Sequence, residues 1–489
     1  MRIAVDHTNV APGHVLVVTS AAAFVASLDL FIVNVAFDDI GHDFGGTSLS
    51  SLSWVLNGYA IVYAALLVPL GRLADRTSRK AGFLAGLALF TAASALCAAA
   101  PGLGVLVFAR VLQAVGAAAL TPTSLGLLLA VFAPERRANA VRIWAATGAL
   151  AAAAGPVIGG LLVQTSWRWV FLVNVPVGLL ALAATVRIVP DSRDPEAGPV
   201  PDLIGAVLAA ISVGALALGL VQGVPWGWTS SRTLSAFAAA ARGGALFWYR
   251  TVHHAVPVVE PALLRVRSFA WSNVTALAFS TAFAANLLCA VLWLQQVWGA
   301  SALRTGLEVA PGPLMVPVFA VIASLLIKRG VGIGLVASAG CLLSALGALI
   351  MLISVGPDPA YAGELLPGWL VGGAGVGLAL PTILSSATAD LPPARAATGS
   401  AVVSMSRQVG SVLGVSLLVA LLGIPVGYDA THRAFQTGWA ACVIVGVLAA
   451  VTALGMTPRS APVLASDPVP AHENEPHFTQ GMRVAPADP

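Results

Sequence analysis

The chain has 489 residues, of which 58% are hydrophobic and only 9% charged, with a formal net charge of +4 and a mean hydropathy of +0.89. Soluble domains carry about 25% charged residues, so this composition excludes a soluble globular fold and predicts an all-α polytopic membrane protein. The small positive excess is scattered over connections between apolar runs, which predicts a lipid bilayer and no nucleic acid as partner.

Fourteen runs come near the ~20 residues that cross ~30 Å of hydrocarbon as helix. They fall at about 14–36, 52–70, 81–100, 104–128, 139–163, 169–189, 203–222, 232–250, 271–294, 305–327, 331–353, 365–387, 396–422 and 433–456. The first is too long for a signal h-region and lacks a clear cleavage site, so a retained helix after a short 1–13 segment is expected. The weakest is 232–250, where Arg242 falls mid-run beside Gly243 and Gly244; without it every later span would invert.

An even count puts both termini on one side. That side carries Arg72, Arg76, Arg79, Lys80, Arg136, Arg137, Arg265, Arg267, Lys328 and Arg329, against Arg168, Arg232, Arg304 and Arg433 on the other. The positive-inside rule then makes both termini cytoplasmic. Residues 457–489 are polar and Pro-rich, as expected of a disordered cytoplasmic tail.

Several chemistries have no foothold. Cys97, Cys289, Cys341 and Cys442 lie inside apolar runs without ligand spacing, so neither a disulfide framework nor a metal site is expected. His253 and His254 sit in a connection and read as solvated. The lysines, Lys80 and Lys328, lie outside any Gly-x4-Gly-Lys phosphate loop. No ATP hydrolysis and no cofactor follow; energy would come from an ion gradient, another subunit or nothing. An intramembrane enzyme would need His, Asp or Ser clustered at one depth, which the sequence does not offer.

Two lone charges stand out in the spans. Asp29, in Ser27-Leu28-Asp29-Leu30-Phe31, lies ~10 Å below the end of its helix, and Arg110 lies ~9 Å inside the fourth span, entered from the same face. Equal depth makes them candidate partners. Such charges mark ion or substrate paths, and opening a cavity around the pair could move a proton on and off Asp29; the plainer alternative is an ion pair that fixes helix register. Gln113, one turn deeper than Arg110, could extend the polar site, and Asn34 lies near the helix end, at the cavity or the membrane interface.

Further along, Gly148 opens Gly148-Ala-Leu-Ala-Ala-Ala-Ala-Gly155-Pro156-Val-Ile-Gly159-Gly160. Ala151, Gly155 and Gly159 form a small-residue stripe for close helix approach, and Pro156 can kink the helix; packing and gating are equally compatible with the spacing. Trp167 and Trp169 suit an interfacial belt. Arg304 and Glu308 suit a helix-surface pair, with Glu308 as a second coupling acid the lesser alternative.

The segment Gly71-Arg-Leu-Ala-Asp75-Arg76-Thr-Ser-Arg79-Lys80 packs four basic residues and one acid between two apolar runs and is expected as a short cytoplasmic loop. With Arg110, Gln113 and Gly116, the helix-5 run from Gly148 to Gly160, Leu28-Asp29 through Asn34-Val-Ala36, and Trp167 to Pro176, it resembles the 14-helix drug:proton antiporter branch of the major facilitator superfamily. Ser78 and Ala114 stand where glycine is usual, and Asp38 where proline is common.

The resemblance covers residues 14 to about 456. It implies a six-helix bundle over 14–189, a linker over 190–202, an inserted helix pair over 203–250, a connection over 251–270 and a second bundle over 271–456. It implies bundles that rock about a midplane site, gating by the helix-5 run, and a brace between bundles at Asp75, near the start of the eleventh span. The implied protein is a monomeric, proton-driven exporter of small hydrophobic or cationic drugs in a bacterial plasma membrane. Asp29 and Arg110 would couple the proton, and Gln113 and Asn34 would line the cavity. A narrow exporter of one metabolite, such as a self-made antibiotic, is the near rival; a transport-inactive membrane sensor is the rival of another class.

Overall fold

A computed structural model describes residues 12–194 and 202–457, all helix and connection without a strand among them. The long helices are α1 (Pro12–Val35), α2 (Trp54–Arg76), α3 (Arg79–Ala98), α4 (Leu103–Val131), α5 (Pro134–Val163), α6 (Asn174–Ile188), α7 (Leu203–Trp226), α8 (Ser231–His253), α9 (Arg267–Leu292), α10 (Pro311–Lys328), α11 (Ile333–Ser354), α12 (Leu366–Ala389), α13 (Pro393–Leu422) and α14 (Tyr428–Ala453). Of these segments, 13 are long and apolar enough to cross a membrane. The fourteenth is α8, long enough but less apolar, with Arg232, Arg242 and Arg250 in its sequence. The tail from 458 onward lies outside the described residues.

What holds α8 is its neighbour. Gly243 lies against the Ser212 backbone of α7, so close that an added Cβ would come within 3.2 Å of it. The Ser212 hydroxyl donates to the Ala240 carbonyl at 2.8 Å. At the hairpin's open end Arg250 donates Nε and Nη2 to the two Asp202 carboxylate oxygens at 2.6 and 2.7 Å, which holds that carboxyl below the usual range. The weakest run of the sequence is therefore a full helix, antiparallel to α7.

Helices α1 to α6 pack among themselves, with α4 against α1, α2 and α3; helices α9 to α14 do likewise, with α9 against α12, α13 and α14. The α7–α8 hairpin leans on α2 and α13 through α7. Helix α13 also runs along α2, which joins the two halves.

On the side away from the chain ends, here the far side, the halves are sealed by one apolar cluster. Leu28, Ile32 and Val33 of α1 share it with Val415, Leu418 and Leu422 of α13 and with Trp293 and Trp298. Small residues permit the closest contact. A Cβ on Gly306 would fall 2.2 Å from the Pro156 carbonyl oxygen, and one on Gly160 2.6 Å from that of Ala302. Gly155 and Gly159 press on Phe31 and Ile32 of α1 from the same helix. The small-residue run of α5 thus serves two crossings, one inside its own half and one to the other half.

Several boundaries differ from expectation, among them the sixth span, which is Trp169–Leu172 followed by α6. The basic decapeptide is mostly helix: α2 continues through Arg76 and α3 starts at Arg79, leaving Thr77 and Ser78 as the turn. Ser78 caps α3 by accepting the Ala81 N–H at 2.9 Å, which satisfies one of the helix's free donors. The tenth span is broken in two, Ala302–Val309 and then α10, because Pro311 has no N–H to continue the ladder.

Candidate functional site

Asp29 and Arg110, matched by depth in the sequence, meet inside the first half. Arg110 Nη1 donates to Asp29 Oδ2 in a short ion pair, with the two side chains 1% and 0% exposed. Gln113 Nε2 donates to Asp29 Oδ1 at 2.8 Å, and Asn174 Nδ2 from α6 donates to the same oxygen at 3.1 Å. Ser94 Oγ of α3 accepts from Gln113 at 2.8 Å and from Asn174 at 3.4 Å. Four helices thus converge on one carboxylate.

Arg110 is held independently of that carboxylate. Its Nε donates to the Val55 carbonyl at 3.1 Å, its Nη1 to Gln113 Oε1 at 2.7 Å, and its guanidinium carbon lies 4.2 Å from the centroid of the Tyr59 ring. Inside a low-dielectric bundle each of these contacts is strengthened and each broken one is costly. Protonating Asp29 would remove one of Arg110's anchors and leave three.

Gln113 and Asn34, expected on the cavity, lie elsewhere. Gln113 is wholly buried within the first half. Asn34 is 8% exposed next to the far-side seal and spends its amide on the Leu30 and Phe31 carbonyls of its own helix, at 3.1 and 3.3 Å. Trp167 is not an interfacial side chain: it is buried between Phe44 and Phe171, and its Nε1 donates to Asp43 Oδ2 at 3.0 Å. That bond and Arg168 keep the Asp43 carboxyl below its ordinary value. Trp169, 45% exposed, is the outward-facing member.

The decapeptide is tied within its own half. Asp75 Oδ1 accepts from Arg79 Nε at 2.6 Å, the Asp75 carbonyl from Asp194 N–H at 2.8 Å, and the Ser192 carbonyl from Arg79 N–H at 2.8 Å. Ser78 Oγ donates to Asp191 and Lys80 to the Val186 carbonyl, while Arg76 is exposed. Gly71 packs on Pro122 of α4, and Gly148 faces Ser27 of α1. The bridge between halves on this side belongs to Arg72, which reaches Glu260 Oε1 at 3.0 Å and Thr398 Oγ1 at 3.4 Å. With the far side sealed, Asp75 is engaged locally and does not form the expected brace to α11.

Glu308 pairs with Arg304 at 2.8 Å as the spacing suggested, yet is itself only 9% exposed. Among the described residues no group of three or more His, Cys, Asp or Glu could hold a metal ion.

The helical plan and the sequence agree with one family. The model of the Major Facilitator Superfamily matches residues 19–415. The chain belongs to that superfamily. This facilitator is 33% identical over 425 residues to a methylenomycin A resistance protein of Bacillus subtilis, covering 86% of this chain and 89% of that one. It is 35% identical over 410 residues to the multidrug resistance protein Stp of Mycobacterium tuberculosis, covering 83% and 75%. Among solved structures, a peptide transporter POT in complex with sulfate superposes with a TM-score of 0.67 at 18% identity, over 91% of this chain and 95% of that one. That likeness concerns the fold alone.

Sequence reasoning did not single out Ser94, Tyr59, Arg72, Glu260 or Arg407. The rule that isolated Arg110, a lone charge within a long apolar span, applies equally to Arg407 in the middle of α13.

Proposed function

We propose that this facilitator is a proton-coupled antiporter that exports hydrophobic or amphipathic drugs by alternating access. It works as a monomer in a bacterial plasma membrane with both termini in the cytoplasm. The observation that carries the reading is Asp29: it is the one acid deep within a span, fully buried, and met by three amide or guanidinium donors from α4 and α6. Relatives named for drug resistance support the direction of transport, and the basic loops on the termini side support the orientation.

The geometry suggests how a proton is used. With Asp29 ionised, α1, α3, α4 and α6 are drawn to one point. Protonation cancels its charge and weakens its hold on Gln113 and Asn174, while Val55 and Tyr59 keep Arg110 in place. Helix α1 is then free to move, and α1 supplies Leu28, Ile32 and Val33 to the far-side seal. Proton entry is thereby linked to opening of the seal, and the small-residue crossing of α5 with Ala302–Val309 is the contact that must part. Each proton moving inward provides ~2.3 kcal/mol per 100 mV before any pH contribution.

Everted vesicles with a panel of compounds test this. Wild type should accumulate drug when a proton gradient is imposed and release protons when drug is added. Asp29→Asn should insert normally but lose drug-dependent proton movement. Continued uphill export by that variant would refute the coupling role, and a wild type that moves nothing would favour a membrane sensor. Transport confined to one compound would favour a narrow exporter, a reading supported by relatives named for single antibiotics.

A further inference from the structure

The half-buried charge within a span that the coupling cluster does not use is Arg407. It lies on α13 midway between the two hydrogen bonds that tie α13 to α2: Asn57 Nδ2 to Ser416 Oγ at 3.0 Å and Arg72 Nη2 to Thr398 Oγ1 at 3.4 Å. Each is ~13 Å away along the helix. Ser400, Ser404, Arg407 and Ser411 share one face of α13 at helical spacing. The same face continues as Val415, Leu418 and Leu422, which are buried in the apolar cluster that also holds Leu28, Ile32 and Val33 of α1. The polar stripe therefore faces the interface between the halves, on the termini side of the seal.

At this depth the guanidinium is without a counter-ion. Its Nε is buried with no hydrogen-bond partner, and among the described residues it forms no ion pair. Helices α9, α10, α11, α12 and α13 themselves contain no acid, Glu308 in the preceding half of the tenth span is paired with Arg304, and Asp29 is fully committed inside the first half. The titratable group near enough to interact with Arg407 is Tyr63 of α2, whose hydroxyl donates to Thr121 Oγ1 at 3.2 Å and whose ring stacks on Tyr59. An unpaired charge in mid-membrane is retained where it faces a water-filled cavity or a ligand. A guanidinium is the side chain best matched to a planar oxyanion, which it grips through two parallel N–H bonds.

We propose that Arg407 is the recognition cation of the transport site, and that the preferred substrates are amphipathic molecules with an acidic group, a carboxylate or phenolate. The proposal rests on the exporter reading above and names its substrate class. It departs from the expectation of cationic drugs, because a fixed, unneutralised positive charge on the interface repels them and has no nearby acid to offset it. The Arg407 guanidinium grips the oxyanion, with Ser404 and Ser411 on either side of it along the stripe and Tyr63 facing it.

Fluorescein and rhodamine 123 share one xanthene skeleton and carry opposite charge, so they isolate the sign of the ligand. Binding to the purified full chain in lipid nanodiscs is read by fluorescence anisotropy, with empty nanodiscs as control. Wild type should bind fluorescein at least about tenfold more tightly than rhodamine 123. Arg407→Gln should lose that preference, and Arg407→Lys, which keeps the charge but not the fork, should retain part of it. Thermal unfolding of each variant separates lost recognition from lost fold. The inference is overturned if wild type prefers rhodamine 123, binds fluorescein no better than empty nanodiscs do, or if a folded Arg407→Gln still prefers fluorescein. Gradient-driven dye uptake into everted vesicles is scored separately. Fluorescein binding without transport sinks the exporter reading and spares Arg407, whereas transport of rhodamine 123 without fluorescein binding does the reverse.

Discussion

Inside the first half, Asp29, Ser94, Arg110, Gln113 and Asn174 form one hydrogen-bonded polar cluster. Inside the second half, Trp293 packs instead against Trp298, Phe435 and Trp439, at ring distances of 6.5, 5.2 and 5.4 Å. Both are six-helix bodies, and both contribute to the same far-side seal. The difference lies in what can change. A charged network in a dry interior is stable only while all its members are paired, so one proton can alter it. An aromatic cluster is held mainly by shape and dispersion, with the His432 ring 5.6 Å from Trp293 as its one titratable neighbour among the described ring contacts. On the proposed coupling role of Asp29, the first half responds and the second supplies a firm surface for it to move against. A π-helical turn at Trp293–Val297 makes the link, since Gln295 Nε2 from that turn donates to the Val35 carbonyl of α1 at 2.8 Å.

The sharpest way to break this contrast is to remove one partner of the buried pair. Arg110→Ala should destabilise the protein by about 3–5 kcal/mol by stranding a buried carboxylate. Adding Asp29→Asn should recover much of that loss, as read by unfolding of the single and double variants. Strict additivity would mean that the pair is not coupled.

A smaller effect is expected in the second half. Trp293→Phe leaves a partial cavity worth about 1–2 kcal/mol, and drug-dependent proton movement should persist. If that variant loses coupling while remaining folded, the division of labour between halves is wrong.

The smallest effect belongs to the exposed analogue of the buried pair. Arg168 donates to Asp43 at 2.8 Å, but with side chains 38% and 43% exposed. Because Trp167 and Arg168 hold the Asp43 carboxyl below its ordinary value of about 3.9, its contribution is full above that value. It is lost as pH falls through the lower folded value. Asp43→Asn should lower stability slightly at pH 7 and leave it unchanged below the folded value, so that the acid limb of the pH–stability profile flattens, a far smaller effect than that of Arg110→Ala.

How much of this was legible depends on the kind of residue. Asp29 and Arg110 announced themselves because a charge in an apolar span is conspicuous, and helix rise alone put them at one depth. Asn174 and Ser94 did not, because uncharged polar side chains are common in spans and their partners lie far away in sequence. Gln113 was found on the right helix face and assigned to the wrong surroundings, since a helix face becomes cavity or core only once its neighbours are in place. Arg407 met the same criterion as Arg110 and was not singled out.

The sequence by itself determined the membrane class, the number and order of spans, the sidedness of charge and the family, because hydrophobic length, loop charge and short motifs are local properties of the chain. Only the tertiary structure decided that α2 runs through the decapeptide, that Arg72 rather than Asp75 bridges the halves in this state, and that Asp29 is enclosed by four helices while Arg407 stands without a counter-ion. Those outcomes depend on which helices approach closely and on which side is sealed. In a bundle of similar apolar helices, that is set by small-residue crossings and by side chains distant in sequence, which no single stretch of the chain encodes.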